Sequence, residues 1–430
     1  MQQRVLASQL AERAGETVRL QGWVHRRRRL ASVTFVVLRD RSGLAQVVIR
    51  DPETVELVEK LGEETVVEVV GKALANPQAP GGVEVVDPTL TPLTEPAETP
   101  PIELWRPSVN AALPTLLDNA PTTLRHPKLK AGFEIASAAV QGFRATLSGL
   151  DFTEINTPKL VESATESGAN VFAVDYFGKP AYLAQSPQFY KQHLVGVFER
   201  VFEVGPVFRA EPHNTGRHLA EYVSLDAELG FVQDHCEVMD VCEQVVVGMV
   251  SAVRERAAAA VELLGVELPS TGGGKIPVVD FTEVLRMVGA PPDEPDLAPA
   301  HERAIGEWAQ AEHGSDFVFV EGYPTANRAF YTHPRPEEPR WSRSFDLIFR
   351  GVELVSGAQR LHRYEDYVAV LRERGLPLES YASYIDAFRF GIPPHGGFAF
   401  GLERFVSRLT GAENIREVTL FPRDMQRLSP

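Results

Sequence analysis

Apolar and polar positions alternate with a period of two in five short stretches near the N-terminus, residues 17–24, 33–39, 44–50, 66–72 and 82–86. Such alternation predicts half-buried strands. A helix-like segment, 52–61, falls between the third and fourth of them. Five strands with a helix after the third, in about 70 residues, is the order of an OB-type Greek-key barrel, which often binds oligonucleotides; another small barrel fits the same pattern. Pro88, Pro92, Pro96, Pro100 and Pro101 follow. Prolines at that density suit neither a helix nor a central sheet, so the stretch predicts a stiff linker. The expected organisation is a barrel over 1–87, a linker over 88–125 and a second domain over 126–430.

In the second domain the pattern lengthens. Segments 129–148, 186–198 and 234–264 read as helices, interspersed with apolar strands at 201–208, 222–230, 317–321, 345–349, 352–356 and 396–400. Strands that follow one another through hairpins, as around Arg350 and Gly351, predict a largely antiparallel sheet with helices packed on it, an α+β class.

Composition narrows the partners more than the fold. With 44% apolar and 23% charged residues, the 430-residue chain lies in the globular range and should form two to three units. Lys and Arg number 43 against 58 Asp and Glu, a net charge of -15, so any RNA contact must use local basic patches. Cys236 and Cys242 lie six apart in a helical stretch without partners at zinc-site spacing, and read as packing residues in a reducing compartment. Residues 1–16 lack a signal-peptide pattern, and no run of about 18 apolar residues suits a membrane span, so a cytoplasmic location is expected.

Candidate chemistry begins with a failed match. Gly272, Gly273, Gly274 and Lys275 imitate a P-loop, but Pro269 and Ile276 stand where that loop needs Gly and Ser or Thr, which leaves a surface turn. Arg209 and Glu211, two apart on an extended stretch, leave the same face and could meet a phosphate and an exocyclic amine. A polar loop carrying His213, Arg217 and His218 follows, and then Tyr222, Ser224, Asp226 and Glu228 alternate with apolar residues. That strand could floor a site, or be half-exposed with a surface ion pair.

Asp346 and Glu353 are expected nearly opposite each other across the hairpin, where like charges repel unless a divalent cation such as Mg2+ lies between them; a solvated hairpin tip is the alternative. Ser356 and Arg360 come next. Ser186 and Pro187 read as N-cap and first helical residue, which sets Gln188 and Lys191 on one face near the helix's positive end, suited to an anion or simply solvated. Finally, 396–408 runs from strand to helix with Gly401 at the junction and Arg404 in the first turn, where a guanidinium could cover a purine or reach a phosphate.

Taken in order, these segments resemble the class II aminoacyl-tRNA synthetases over the whole chain, and within them the compact, archaeal-type aspartyl-tRNA synthetases. FTEINTP at 152–158 looks like the first family motif, which lies at a dimer interface; FRAE at 208–211 with Arg217 and His218 looks like the second; GLER at 401–404 looks like the third. The resemblance implies ATP and Mg2+ as cofactors. It implies that Arg209 holds the α-phosphate as a catalytic residue with Arg404, Glu211 the adenine amino group, and Arg217 and His218 the outer phosphates. Tyr222 and Arg404 would sandwich adenine, while Asp346, Glu353 and Ser356 would position the metal.

The same resemblance implies that Arg360 and Lys191 take the aspartate side chain and Gln188 and Asp226 its ammonium group, with Ser356 alongside and Glu166 on a closing loop at 163–170. The barrel would read the anticodon through His25, Arg26, Arg28, Phe35 and Pro80; the alternative for the run Arg26 to Arg29 is a solvated turn. Members strict for tRNA-Asp tend to carry Trp and Lys at the positions of His25 and Pro80, so tRNA-Asn is expected as a second substrate. L-Aspartate, a homodimeric second copy and a tRNA-dependent amidotransferase complete the implied partners. The alternatives are an asparaginyl-tRNA synthetase and a noncatalytic synthetase-like RNA-binding protein.

Overall fold

The computed structural model describes residues 3–162, 170–213 and 215–429. It divides into two compact units, Met1–Pro127 and Lys128–Pro430.

In the first unit, β1 (Thr17–Leu30), β2 (Val33–Asp40), β3 (Gly43–Ile49), β4 (Val66–Ala75) and β5 (Val83–Pro92) close a barrel in the order β1-β2-β3-β5-β4. Alternate residues fill its interior, among them Val18, Leu20, Val36, Leu38, Val67 and Val69. The helix Pro52–Lys60 starts where Asp51 accepts from the Thr54 amide at 2.8 Å and proline occupies the first turn.

Two expectations need correction here. The first strand runs beyond residue 24 through the arginines to Leu30, because Arg26 to Arg29 pair with Val37 to Thr34 across the ladder; the basic run is strand, not turn. The last strand enters the supposed linker, with Pro92 opposite Val67. Among the described residues β3 covers the other side of β5 only from Glu84 to Val86, so Pro88 and Pro92 sit where that edge asks for no amide donor.

The second unit is built on an eight-stranded sheet. Its strands are β6 (Thr153–Glu154), β10 (Arg200–Phe208), β11 (Glu221–Gly230), β12 (Val278–Asp280), β13 (Phe317–Glu321), β14 (Ser344–Phe349), β15 (Val352–Gln359) and β16 (His395–Gly401), in the order β12-β13-β14-β15-β16-β11-β10-β6. Pairing is antiparallel through the middle and parallel at both edges. The stretch between β6 and β10 forms a separate small sheet of β7 (Leu160–Val161), β8 (Ala173–Tyr176) and β9 (Lys179–Leu183). The helices Pro127–Gly149 and His235–Arg256 bury Phe143, Leu147, Val245 and Met249 in the core shared with Phe202, Leu225 and Phe400.

The expected helix over 234–264 is two helices, broken at Ala257, whose φ of -123° and ψ of 23° leave the helical region. The helix expected from Ser186 begins at Gln188; Pro187 takes the cap position, and the Ser186 hydroxyl accepts from the Gln188 amide at 3.3 Å. Arg350 and Gly351, with φ of 47° and 73°, form the two-residue turn between β14 and β15, both in the left-handed region that right-twisted hairpins require. No helix among the described residues is long and apolar enough to cross a membrane.

Candidate active site

Strand β11 is covered on both faces. Leu225, Ala227 and Leu229 enter the core, while Ser224, Asp226 and Glu228 on the opposite face are also buried, which removes the reading of a half-exposed strand. Above that polar face lies a cavity of about 370 Å³. Arg209, Glu211, Arg217, His218, Tyr222 and Arg404 line one part of it, with Gln188, Ser224, Asp226, Glu353, Ser356 and Glu403 around the rest. Most of the candidates thus converge from four separated stretches of chain.

At the first part, the Arg209 guanidinium lies 5.8 Å from the centre of the Tyr222 ring and 3.8 Å from the Glu211 carboxylate. The other Glu211 oxygen lies 3.6 Å from His218 Nε2. Burial holds the His218 ring below its ordinary pKa although Glu211 pulls the other way, so the ring is largely neutral at pH 7. Arg404 donates to the Glu353 carbonyl at 3.0 Å. A Cβ added to Gly401 would stand 3.6 Å from the Arg404 Cβ and 3.9 Å from the Tyr222 ring, so both residues adjoin Gly401 in the cavity wall.

Beneath the other part is a buried ion network. Lys191 donates to Asp226 at 3.0 Å and lies 3.3 Å from Glu228, and Arg360 Nε donates to Glu228 at 3.0 Å. Arg360 Nη2 also donates to the Gly397 carbonyl at 3.0 Å and reaches Gln188 Oε1 at 3.5 Å. Burial alone would raise the Glu228 carboxyl, but Arg360 and then Lys191 outweigh it and hold it below the usual carboxylate range. Two cations therefore face two carboxylates, and the set is neutral. Lys191 and Arg360 stand behind the cavity wall, whereas Asp226 and Gln188 reach it.

Gly397 makes room for this arrangement. A Cβ there would lie 2.1 Å from Glu228 Oε2 and 2.2 Å from the Ala227 carbonyl. Further support comes from Gln192, which joins Gln188, Tyr367, Tyr384 and His395 at 2.8 to 3.1 Å. The His395 ring, pushed down to about 4 by burial, stays neutral there.

The acidic hairpin differs from its expectation. The two-residue turn sets Glu353 opposite Ile348, and a bulge between Leu347 and Ile348 then places Asp346 opposite Ser356. The two carboxyls still feel each other: Glu353 is pushed up to about 7, first by burial and then by the Asp346 charge. Arg328 Nη2 donates to Asp346 Oδ2 at 2.6 Å, and Arg328 Nη1 to Ser356 Oγ at 3.4 Å. Asp346 Oδ1 is buried and has no hydrogen-bond partner among the described residues. An unmatched carboxylate oxygen beside a second, repelled carboxyl and a hydroxyl is a donor set that fits a hard divalent cation.

Sequence reasoning missed Arg328, Glu228 as the shared counter-ion, and Glu403. Arg328 follows a short 3-10 turn, Thr325–Asn327, that carries no periodic signal. Glu228 was detectable, since it continues the polar face of Ser224 and Asp226. Glu403 accepts from the Val223 amide at 3.1 Å, and its carboxyl is pushed up to about 7 by burial. Glu166 lies outside the described residues.

In the barrel, strand geometry sorts the arginines by parity. Arg26 stacks 3.8 Å over Trp105, and Arg28 lies 5.6 Å from the Phe35 ring. Arg27 instead donates to the Val58 carbonyl at 2.8 Å, and Arg29 pairs with Glu59. His25 is buried, and burial with the Arg39 charge pushes its ring down to about 4, so it offers no exposed ring for a base. Pro80 is exposed in the turn Pro80–Gly82.

Comparison with known proteins gives a consistent picture. A family described as tRNA synthetases class II (D, K and N) matches residues 113–425, and an OB-fold nucleic acid binding domain matches 18–93. The chain is 44% identical to an aspartate-tRNA(Asp/Asn) ligase of Deinococcus radiodurans, covering 99% of each. It is also 44% identical to the protein of the same name from Aeropyrum pernix, covering 97% of this chain and 96% of that one. Its fold is similar to the crystal structure of asparaginyl-tRNA synthetase from Pyrococcus horikoshii complexed with asparaginyl-adenylate, with a TM-score of 0.92 at 32% identity and full coverage of both chains.

Proposed function

The chain belongs to the class II tRNA synthetases of the D, K and N group, and from that premise we infer that it activates L-aspartate with ATP and transfers it to tRNA-Asp and to tRNA-Asn. The observation that carries this reading is one cavity with Arg209, Glu211, Tyr222 and Arg404 at one part and the neutral network of Lys191, Asp226, Glu228 and Arg360 beneath the other.

In the first step an oxygen of the aspartate α-carboxylate bonds to the α-phosphorus of ATP as the bond to the bridging oxygen breaks, and pyrophosphate leaves with that electron pair. Arg209 meets the charge that develops on the α-phosphoryl oxygens. Tyr222 and Arg404 hold the adenine, Glu211 accepts from its amino group, and Arg217 and His218 meet the outer phosphates. Asp346, Glu353 and Ser356 would hold magnesium, which supplies positive charge to phosphate oxygens when bound. In the second step the terminal ribose hydroxyl of tRNA attacks the carbonyl of the mixed anhydride, releasing AMP. No protein nucleophile is needed, so positioning supplies much of the rate.

Charge accounting favours aspartate over asparagine. The aspartyl group of the adenylate brings one ammonium, for Asp226 and Gln188, and one distal carboxylate, for Arg360 and Lys191, so the neutral network stays neutral. An asparaginyl group would bring the ammonium alone. The resulting buried, uncompensated charge costs on the order of 3 to 5 kcal/mol.

For tRNA, Arg26, Arg28 and Phe35 supply phosphate contacts and a stacking surface, with Pro80 in the turn between β4 and β5 and His25 acting from inside the barrel wall. The names of the Deinococcus radiodurans and Aeropyrum pernix relatives support relaxed choice between tRNA-Asp and tRNA-Asn. Aspartate on tRNA-Asn then requires an amidotransferase to complete it, and the cytoplasm is the compartment for both steps. A homodimer is supported by a groove of about 690 Å³ lined by Phe133, Val140, Leu402 and Phe421, beside exposed Leu420.

The test is pyrophosphate exchange with aspartate and with asparagine, followed by charging of each purified tRNA. Exchange with aspartate alone and charging of both tRNAs is the expected result. Exchange driven by asparagine refutes the amino-acid assignment, and a failure to charge tRNA-Asn refutes the relaxed one.

A further inference from the structure

On the far edge of β11, away from the cavity, the chain turns into the helix His235–Arg256. Three consecutive residues at its start bring different donors together: a carboxylate oxygen of Asp234, a ring nitrogen of His235 and Sγ of Cys236 all lie within 4.8 Å of one another. Cys236 is exposed, which overturns its expected role as a packing residue; only Cys242 is buried. Juxtaposition at a helix start is a common consequence of capping, and Asp234 does accept from the Cys236 amide at 2.8 Å.

The histidine supplies an independent reason to look further. His235 is 7% exposed, and its two nitrogens have different fates. Nε2 lies 2.7 Å from Glu321 Oε2, whereas Nδ1 is buried and has no hydrogen-bond partner among the described residues. A buried imidazole nitrogen left unmatched is unfavourable. A carboxylate that takes the proton of one ring nitrogen fixes the tautomer and turns the other nitrogen into a lone-pair donor, the arrangement found around metal-ligating histidines.

The surrounding charge is mixed and favours a cation. Asp240 and Glu321 add negative field at the thiol beside Asp234. Opposing them, Arg335 lies 3.6 Å from the other Glu321 oxygen, Arg343 donates to the Gln233 carbonyl, and Lys275 pairs with Asp240.

We propose that Asp234, His235 and Cys236 form a binding site for a borderline transition-metal dication, with Zn2+ as the natural occupant. Oxygen, nitrogen and sulfur donors together suit Zn2+ and disfavour Mg2+, which takes oxygen ligands. Binding replaces the thiol proton, which leaves to solvent, with a sulfur–metal bond; His235 binds through Nδ1, and Asp234 through the oxygen not committed to the helix cap. Three protein ligands leave a fourth position for water. Through Glu321 the ion ties the start of this helix to β13. The site uses no residue assigned to aspartate activation.

The experiment uses the full chain, stripped with chelator and held in excess Mg2+ so that oxygen-ligand sites are occupied. Titration with Co2+ should produce a thiolate-to-cobalt charge-transfer band. Cys236→Ser should abolish the band, His235→Gln should weaken binding at least tenfold, and Glu321→Gln should weaken it by about tenfold or more. None of the three should alter aspartate-dependent pyrophosphate exchange measured without added transition metal. As a measure independent of variants, Zn2+ but not Mg2+ should slow alkylation of Cys236 at least tenfold. The absence of a charge-transfer band in the parent protein, its persistence in Cys236→Ser, or an alkylation rate indifferent to Zn2+ overturns the proposal.

Discussion

Two groups of carboxylates lie close to the same cavity and are managed in opposite ways. Asp226 and Glu228 are matched by Lys191 and Arg360 at 3.0 to 3.3 Å, and Glu228 sits below the usual carboxylate range. Asp346 and Glu353 share Arg328 and the edge of Arg404; Asp346 keeps an unmatched oxygen, and Glu353 rises to about 7. The first group is complete without a ligand, so what binds there must itself be balanced. The second has two further acids beside it, Glu302 near Glu353 and Asp296 near Arg328, so it is short of positive charge, a donor set that suits a cation. Acidic residues in a cavity therefore do not by themselves mark a metal site; the local balance does.

Breaking the balanced group should produce the largest effect. Arg360→Ala leaves Glu228 with Lys191 alone, and aspartate-dependent exchange should fall by about 10²- to 10³-fold or more, as expected for one uncompensated buried charge. Arg360→Lys should recover only part of it, because the charge returns without the planar fork. Near-normal exchange in Arg360→Ala would end the assignment. Asp346→Asn tests the deficient group: exchange should fall about 10²-fold, with the Mg2+ midpoint displaced upward. A midpoint equal to the parent's would mean that Asp346 does not face the ion.

Glu403 sharpens the comparison as a buried carboxyl that leans on the Val223 amide instead of a cation. Its folded pKa, about 7, lies above the ordinary 4.5, so the native state holds the proton more tightly. Its contribution favours folding below about pH 4.5 and is lost as pH rises through 7. Glu403→Gln should remove roughly 2 to 3 kcal/mol of that pH dependence, read from denaturant unfolding at pH 5 and pH 8. Equal slopes in parent and variant would show that the carboxyl is not held neutral. The smallest effect is expected in the barrel, where Arg28→Ala should leave amino-acid activation unchanged and lower the salt slope of tRNA binding by about one.

Much of this was legible from the chain alone, for a physical reason. Alternation along 222–229 reports which residues share a face, and that placed Tyr222, Ser224 and Asp226 correctly. The hairpin was legible too, since Arg350 and Gly351 form its turn, but its register was misjudged: that two-residue turn by itself sets Glu353 opposite Ile348, and the extra residue Leu354 then brings Ser356 rather than Val355 opposite Asp346, a bulge that no local pattern announces. Pro88 and Pro92 misled because proline excludes a strand only where both edges are paired. Pairings between distant segments, such as Arg328 with Asp346 or Glu403 with Val223, come from tertiary approach and leave no trace in periodicity. Cys236 was misjudged because a helical stretch was read as buried throughout, whereas Cys236 lies in the first turn of its helix and is exposed.

Gly397 carries a consequence for redesign. With a Glu228 oxygen and the Ala227 carbonyl occupying the space that a Cβ would need, even alanine would have to evict the counter-ion or prise β11 from β16. Attempts to retarget this enzyme to another amino acid by exchanging charged residues will therefore inherit a volume limit set by the neighbouring strand, and a library that varies 397 should yield inactive protein at every substitution.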